Sequence, residues 1–395
     1  MIEFPFSLAH LLEPVSIATF LSRYYERRLL VVNRNSSSHY GDLLTIEALD
    51  DIICATALTS DDIIVVNESR AIQPEEYLRD DETVDGVRVQ QLFDEGATIS
   101  LRQVQNRVPS LARLCNSAAQ HFNCAFQVNM YFTPANAQGF RTHHDTHDVF
   151  ILQLIGSKNW RAYQPAMSLP LRGQRYFWKT PPLDSVTKEF MLSPGDLFYC
   201  PRGYPHDARS VQEASVHISL GALVNTWTEW LLEIVADVAL RDPAFRAGLP
   251  PDYATRGVAP EVLDLTLQDL LKRVQRRARS QHVLDMMAER FIYHHPTLML
   301  GQRATLRAAS SLTLDSTVGG RPGLLYRLTE RRNKLILLSN ARSMTLPKFI
   351  APSLEFALSS SAFLIRDLPG SPTDSGKLVF IRRLMREGLV VSVRE

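Results

Sequence analysis

The spacing of apolar positions changes three times along the chain. From Ser16, a residue suited to capping a helix, Ile17, Phe20, Leu21 and Tyr24 recur at i, i+3, i+4 and i+7, which predicts a short amphipathic helix. A strand over 29–32 follows and runs into the turn-like 33–38; a second capped helix is expected over 45–57, a strand over 63–66, a solvated acidic stretch over 75–81 and a helix over 110–122. Between 125 and 223 the rhythm shortens. Apolar runs at 126–132, 149–155, 159–163, 196–199 and 214–220 are separated by Pro, Gly and Asn, a spacing that predicts a β-sandwich or barrel. After Asn225 the strands stop. Trp227, Trp230, Leu231, Ile234, Val235, Val238 and Ala239 form one helical stripe, with further helices expected over 261–279 and 281–293. Such a stripe either covers the barrel or joins subunits. The last 95 residues mix both rhythms: strands at 324–328, 335–338 and 389–393, and helices over 352–358 and 374–389, the last stopped by Gly388.

Composition narrows the class without choosing a function. A length of 395 residues suggests two or three domains at about 100–200 residues each. The formal net charge is +1, from 43 Lys+Arg against 42 Asp+Glu, which argues against one large polycation. That balance hides an asymmetry: residues 301–395 hold 15 Lys+Arg and 7 Asp+Glu, a net of +8, leaving −7 on the other 300. Cys54, Cys115, Cys124 and Cys200 are scattered and form no C-x-x-C pair, so reduced thiols are expected. No apolar run reaches the roughly 18–20 residues of a membrane helix. The opening residues lack a basic segment and carry Glu3, so a secretory signal is not expected. Together these features predict a soluble, cytoplasmic, multidomain protein.

The chemistry concentrates in Thr142-His-His-Asp-Thr-His-Asp. On extended backbone, alternate side chains share a face, so His143 and Asp145 point one way and His144 the other. An imidazole and a carboxylate so spaced can hold one metal ion, with a third ligand drawn from another strand. His206, closing Pro194-Gly-Asp-Leu-Phe-Tyr-Cys-Pro-Arg-Gly-Tyr-Pro-His206, is the best candidate. Two His and one carboxylate on one face of an octahedron form the non-haem Fe(II) oxygenase arrangement. A lone H-x-D is a weak signal; the apolar strand after it and the Pro-Gly-Asp…His segment strengthen it.

The run from Asn129-Met-Tyr-Phe-Thr-Pro through His143-His-Asp145 to Lys158-Asn-Trp160, with Gly195-Asp-Leu-Phe-Tyr…His206, resembles the cupin-type JmjC ribosomal oxygenases, 2-oxoglutarate- and Fe(II)-dependent protein hydroxylases. The resemblance extends over nearly the whole chain, including Leu12-Glu-Pro-Val-Ser16 near the start and Phe363-Leu-Ile-Arg-Asp-Leu-Pro369 near the end. It implies an α+β architecture: a double-stranded β-helix catalytic domain over 1–224, a helical dimerisation region over 225–300, and a winged-helix-like domain over 301–395. It implies that His143, Asp145 and His206 bind iron, with O2 as cosubstrate. Lys158 would pair with the far carboxylate of 2-oxoglutarate, and Asn129, Tyr131 and His217 would line the same pocket. Against that role, Lys158 alone reads as a solvated turn lysine, Asn129 and Tyr131 as a satisfied polar pair, and His217 as strand filler. Thr142 departs from the proline common in the family, and His144 from an aromatic residue. His147 shares parity with the ligands and is a contact to them or to substrate; Cys200 reads as a buried strand thiol.

The implied substrate is a His or Arg side chain of a ribosomal protein or another protein or peptide. Lys158 in place of arginine resembles the histidine-directed branch. The alternatives are a free amino acid or natural-product peptide, N-methyl-lysine demethylation, and a non-catalytic interaction protein. A homodimer is expected through 225–300; membrane association and sequence-specific DNA binding are not, while the +8 end is compatible with contact to rRNA or ribosomal protein.

Overall fold

A computed structural model describes residues 7–393 apart from 166, 176–185, 296, 340 and 371–372; Glu3, used above, lies outside them. The chain divides into two compact units, Met1–Val224 and Asn225–Glu395. No helix among the described residues is long and apolar enough to cross a membrane.

The first unit carries helices α1 (Leu8–Leu12), α2 (Ile17–Arg23), α3 (Ile46–Ala55), α4 (Gly86–Asp94) and α5 (Pro109–Phe122). Its strands are β1 (Leu30–Val32), β2 (Ile63–Val66), β3 (Thr98–Leu101), β4 (Ala125–Thr133), β5 (Asp148–Ile155), β6 (Lys158–Tyr163), β7 (Val186–Leu192), β8 (Leu197–Cys200), β9 (His206–Ser210) and β10 (Ser215–Leu223). Ser16 caps α2 as expected, its hydroxyl accepting from the Thr19 N–H at 3.2 Å. Seven strands form one antiparallel sheet in the order β1-β8-β5-β10-β4-β3-β2, and three form another, β7-β6-β9.

The two sheets face each other. Val149, Ile151, Phe198 and Cys200 from the large sheet bury against Trp160, Ala162 and Leu192 from the small one. The opposite face of the large sheet is apolar too. Phe20 of α2 packs on Phe150 and Tyr199, with ring centroids 5.4 and 4.7 Å apart. Strands buried on both faces read as continuous apolar runs, which is the pattern of β5. On the barrel side the large sheet turns polar toward one end: Asn129, Tyr131 and Thr133 of β4 and His217 of β10 lie there in register, Tyr131 opposite His217. Near α1, the rings of His10 and His39 stack at 4.1 Å, each donating its Nε2–H to the other residue's carbonyl at 3.1 and 3.0 Å.

The second unit opens with α6 (Trp227–Arg241), α7 (Pro260–Arg277) and α8 (Ser280–His294), followed by α9 (Gln302–Ala308), α10 (Ala351–Ser359) and α11 (Asp374–Arg386). Thr226 and Glu229 close a reciprocal capping box at the start of α6. Asp237 of α6 receives Arg279 at 2.5 Å, tying α6 to the approach of α8. Strands β11 (Thr317–Gly320), β15 (Phe363–Leu364) and β16 (Val390–Ser392) make one small sheet, and β12 (Tyr326–Arg331), β13 (Lys334–Ser339) and β14 (Arg342–Pro347) another. Val318, Leu354, Ile365, Ile381, Leu384 and Met385 sit at the centre of their shared core. Within this unit α7 buries no side chain, and Trp227 (81% exposed), Leu240 (80%) and Leu265 (67%) leave much of the apolar stripe on α6 and α7 uncovered.

Candidate functional site

The expectation that the His-x-Asp motif lies on a strand is corrected by the structure. Only His143 is in a bridge, to His206, and regular pairing starts at Asp148. Two main-chain hydrogen bonds, His143 N–H to the His206 carbonyl at 3.2 Å and the reverse at 2.8 Å, hold this irregular segment against the first residue of β9. The alternation still holds for His144, whose Nε2 turns to the Gln174 carbonyl at 3.2 Å.

His143, Asp145 and His206 come together, one ligand-type atom of each lying within 4.8 Å of the other two. His206 Nε2 is 3.7 Å from Asp145 Oδ2. Each ring is set from behind. His143 Nδ1 donates to the Arg141 carbonyl at 2.8 Å, and His206 Nδ1 to the Tyr204 carbonyl at 3.0 Å. Those bonds place the protons on Nδ1 and leave both Nε2 lone pairs for the cluster, the tautomer that metal-bound imidazoles adopt. Burial, then the neighbouring His143, pushes His206 down to about 4, so the ring is neutral near pH 7 as a ligand must be. Burial opposes ionisation of Asp145, yet the four surrounding imidazoles, His143 and His206 foremost, outweigh it and hold the carboxyl below its usual range. The donor set therefore fits a divalent metal held by two nitrogens and one oxygen.

Lys158 begins β6 and points into the barrel, 3% exposed. Its Nζ donates to Thr133 Oγ1 at 2.8 Å and to His217 Nδ1 at 3.1 Å. Among the described residues no carboxylate pairs with it, and burial pushes it down to about 7. His217 is driven well below its usual range by burial, then by Lys158 and His206; its ring stacks on Tyr131 with centroids 4.7 Å apart and planes 9° from parallel. An ammonium in a low-dielectric interior with only neutral partners is costly, and an incoming carboxylate relieves that cost. The pocket thus fits an anion beside the metal cluster.

Asn129 lies nearer the rim, its Oδ1 accepting from the Gln103 N–H at 3.2 Å. Burial, then Asp145, raises the Tyr131 hydroxyl to about 12. Trp160 is buried between the two groups, its ring 6.1 Å from His206 and 5.3 Å from His217, and its Nε1 has no hydrogen-bond partner among the described residues. His147 does not join the ligand cluster. Its ring lies over Gly221, where a Cβ would sit 2.6 Å from Cδ2, so only glycine admits the imidazole there. Cys200 is buried, its Sγ 3.7 Å from His206 Nδ1, and its thiol is pushed well above its usual range by burial. The sequence reading missed Thr133, which sits two residues beyond Tyr131 on the same face of β4; parity alone could have found it.

A family model described as JmjC domain matches residues 100–230. A Dictyostelium discoideum protein named bifunctional lysine-specific demethylase and histidyl-hydroxylase NO66 is 33% identical over 261 residues, 62% of this chain and 49% of that protein. Ribosomal oxygenase 2 of Bos taurus is 30% identical over 324 residues, 78% of this chain and 69% of that protein. The chain thus spans about half of the first relative's length and about two thirds of the second's. Among solved structures, Escherichia coli YcfD, a ribosomal oxygenase in complex with cobalt and 2-oxoglutarate, aligns with a TM-score of 0.55 at 16% identity, covering 95% of this chain and 98% of that one. At that identity the likeness speaks to the fold, a cupin barrel with mixed helices and sheets. Sequence and fold agree, and the chain belongs to the JmjC ribosomal oxygenase family.

Proposed function

We propose that this protein is an Fe(II)- and 2-oxoglutarate-dependent oxygenase that hydroxylates a side chain, His or Arg, of a ribosomal protein. The observation that carries the reading is the pairing of a two-His, one-Asp cluster with a buried ammonium that has no counter-charge. His143, Asp145 and His206 would hold the metal. When bound, iron and 2-oxoglutarate supply an oxidant that places one atom of O2 in a substrate C–H bond and the other in succinate, with loss of CO2. The chain's own residues do the rest. Lys158 anchors the far carboxylate of 2-oxoglutarate by charge, and Thr133 and His217 aim its Nζ. Tyr131, stacked on His217, walls the pocket, and Asn129 lines its rim.

Names of relatives favour the substrate class: ribosomal oxygenase for the bovine protein, and histidyl-hydroxylase with lysine-specific demethylase for the Dictyostelium one. Incubating the protein with Fe(II), 2-oxoglutarate and a set of ribosomal proteins should add the mass of one oxygen to one target in a 2-oxoglutarate-dependent way. The Asp145→Ala variant should add none. Formaldehyde release from N-methyl-lysine peptides, without oxygen gain on any ribosomal protein, would replace this reading with demethylation.

The second unit is proposed to serve assembly. Residues 225–300 form the dimerisation region, supported by the uncovered apolar stripe on α6 and α7, and 301–395 form a winged-helix-like domain with a basic surface.

A further inference from the structure

Thr142 precedes the first ligand residue and lies outside the ligand cluster. Its hydroxyl instead donates to Asp207 Oδ2 at 2.6 Å. Asp207 directly follows His206, so its side chain leaves β9 on the face opposite the imidazole. That carboxylate is buried, 3% exposed, and takes two more donors: Arg161 Nε on Oδ1 at 2.8 Å and the Tyr163 hydroxyl on Oδ2 at 2.9 Å. Three segments of the site meet at it: the loop carrying His143 and Asp145, the strand carrying His206, and β6, which begins at Lys158.

Resting on the metal-site reading above, we propose that Asp207 and Thr142 are positioning residues, fixing the His143 segment against β9 from outside the barrel and thereby setting metal affinity. The reason lies in what else holds each segment. Strands β6 and β9 are paired in register from Lys158–Ser210 to Ala162–His206, so the Arg161 and Tyr163 bonds add little to an existing ladder. The segment before β5 meets β9 through two isolated bridges, Gln138 to Arg209 and His143 to His206, and the Asp145 carbonyl accepts from the Gly203 N–H at 3.0 Å; the Thr142 hydroxyl is the side-chain anchor next to the first ligand. Metal–ligand distances tolerate only about 0.2 Å, so a ligand on irregular backbone gains most from such a restraint.

The test is a calorimetric Co(II) titration of the full chain without 2-oxoglutarate, with thermal melting alongside. Thr142→Val removes the hydroxyl at nearly constant volume, and Thr142→Ser restores it. Tyr163→Phe removes the neighbouring hydroxyl from the same carboxylate oxygen, and its contact with Thr142, but leaves the Thr142 bond to Asp207 in place. Thr142→Val should bind Co(II) about 10–100-fold more weakly; Thr142→Ser and Tyr163→Phe should stay close to wild type, with similar small melting shifts for the Val and Phe variants. Wild-type affinity in Thr142→Val, or equal loss in Thr142→Val and Tyr163→Phe, overturns the proposal. An Asp145→Ala variant that binds Co(II) like wild type overturns the metal-site reading itself.

Discussion

Lys158 should cost the cosubstrate-free protein stability, and its removal should be measurable as a gain. Burial lowers its proton affinity from an ordinary lysine's 10.5 to about 7 in the folded chain. The unfolded chain therefore binds the proton more tightly, and folding is penalised. The penalty is full below pH 7, at about 5 kcal/mol, from roughly 1.4 kcal/mol for each unit between the two values. Between 7 and 10.5 the folded lysine is neutral while the unfolded one is still charged, so the penalty shrinks as pH rises and vanishes above 10.5. At pH 7 about 4 kcal/mol remains. Lys158→Met abolishes this term but strands His217 Nδ1 and takes one donor from the Thr133 hydroxyl, which keeps the Thr98 hydroxyl at 3.1 Å, at a cost of about 1–3 kcal/mol. The variant should thus be about 1–3 kcal/mol more stable than wild type at pH 7 in denaturant unfolding without cosubstrate. That advantage should fall by about 3 kcal/mol at about pH 9.5. Saturating 2-oxoglutarate should stabilise wild type, by about 2.7 kcal/mol at a hundred times Kd, and leave the variant unmoved. A variant less stable than wild type at pH 7, or one still stabilised by 2-oxoglutarate, refutes the assignment of this ammonium to the cosubstrate.

The other expectations are shorter. Anaerobic Fe(II) with 2-oxoglutarate should give a visible charge-transfer absorption in wild type; persistence of that band in Asp145→Ala would sink the ligand assignment. Gly156 has φ +57°, and a Cβ there would lie 2.2 Å from the Ala214 carbonyl oxygen, so Gly156→Ala should destabilise by at least about 2 kcal/mol in denaturant unfolding. Light scattering should show a dimer at micromolar concentration. Trp227→Glu, on the uncovered stripe, should shift it to monomer; a wild-type monomer would contradict the assembly proposal.

The barrel was largely legible because its strands are apolar on one or both faces. The runs at 126–132, 149–155, 159–163, 196–199 and 214–220 fall on β4, β5, β6, β8 and β10. Strand β9 was not, because His206-Asp-Ala-Arg-Ser is polar at most positions; the site, not the core, sets its composition. Strand β7 has four exposed residues out of its first four, Val-Thr-Lys-Glu, and gives no apolar signal. Helix α4 starts at Gly86 and sets four apolar residues among four polar ones over only nine positions, a signal too short to stand out. In the site, the ligand candidates stand out by chemistry. The Thr142–Asp207 contact joins residues 65 apart in the chain, and nothing in either neighbourhood announces the other. Lys158 illustrates the limit differently: after Gly156-Ser157 it looks like a surface turn lysine, and only closure of the barrel buries it.

The pairing order of the large sheet bears on how portable this catalytic machinery is. The JmjC match starts at residue 100, inside β3. Yet β1 forms the ladder edge on β8, and β2 with β3 the edge on β4, and Phe20 covers Phe150 and Tyr199. A fragment cut to the matched residues would carry every ligand candidate but leave two raw strand edges and an uncovered aromatic face, the recipe for edge-to-edge association. Residues 7–101 therefore supply three of the ten strands and the cover of one aromatic face, and transplanting this chemistry to another protein means moving them together with the matched segment.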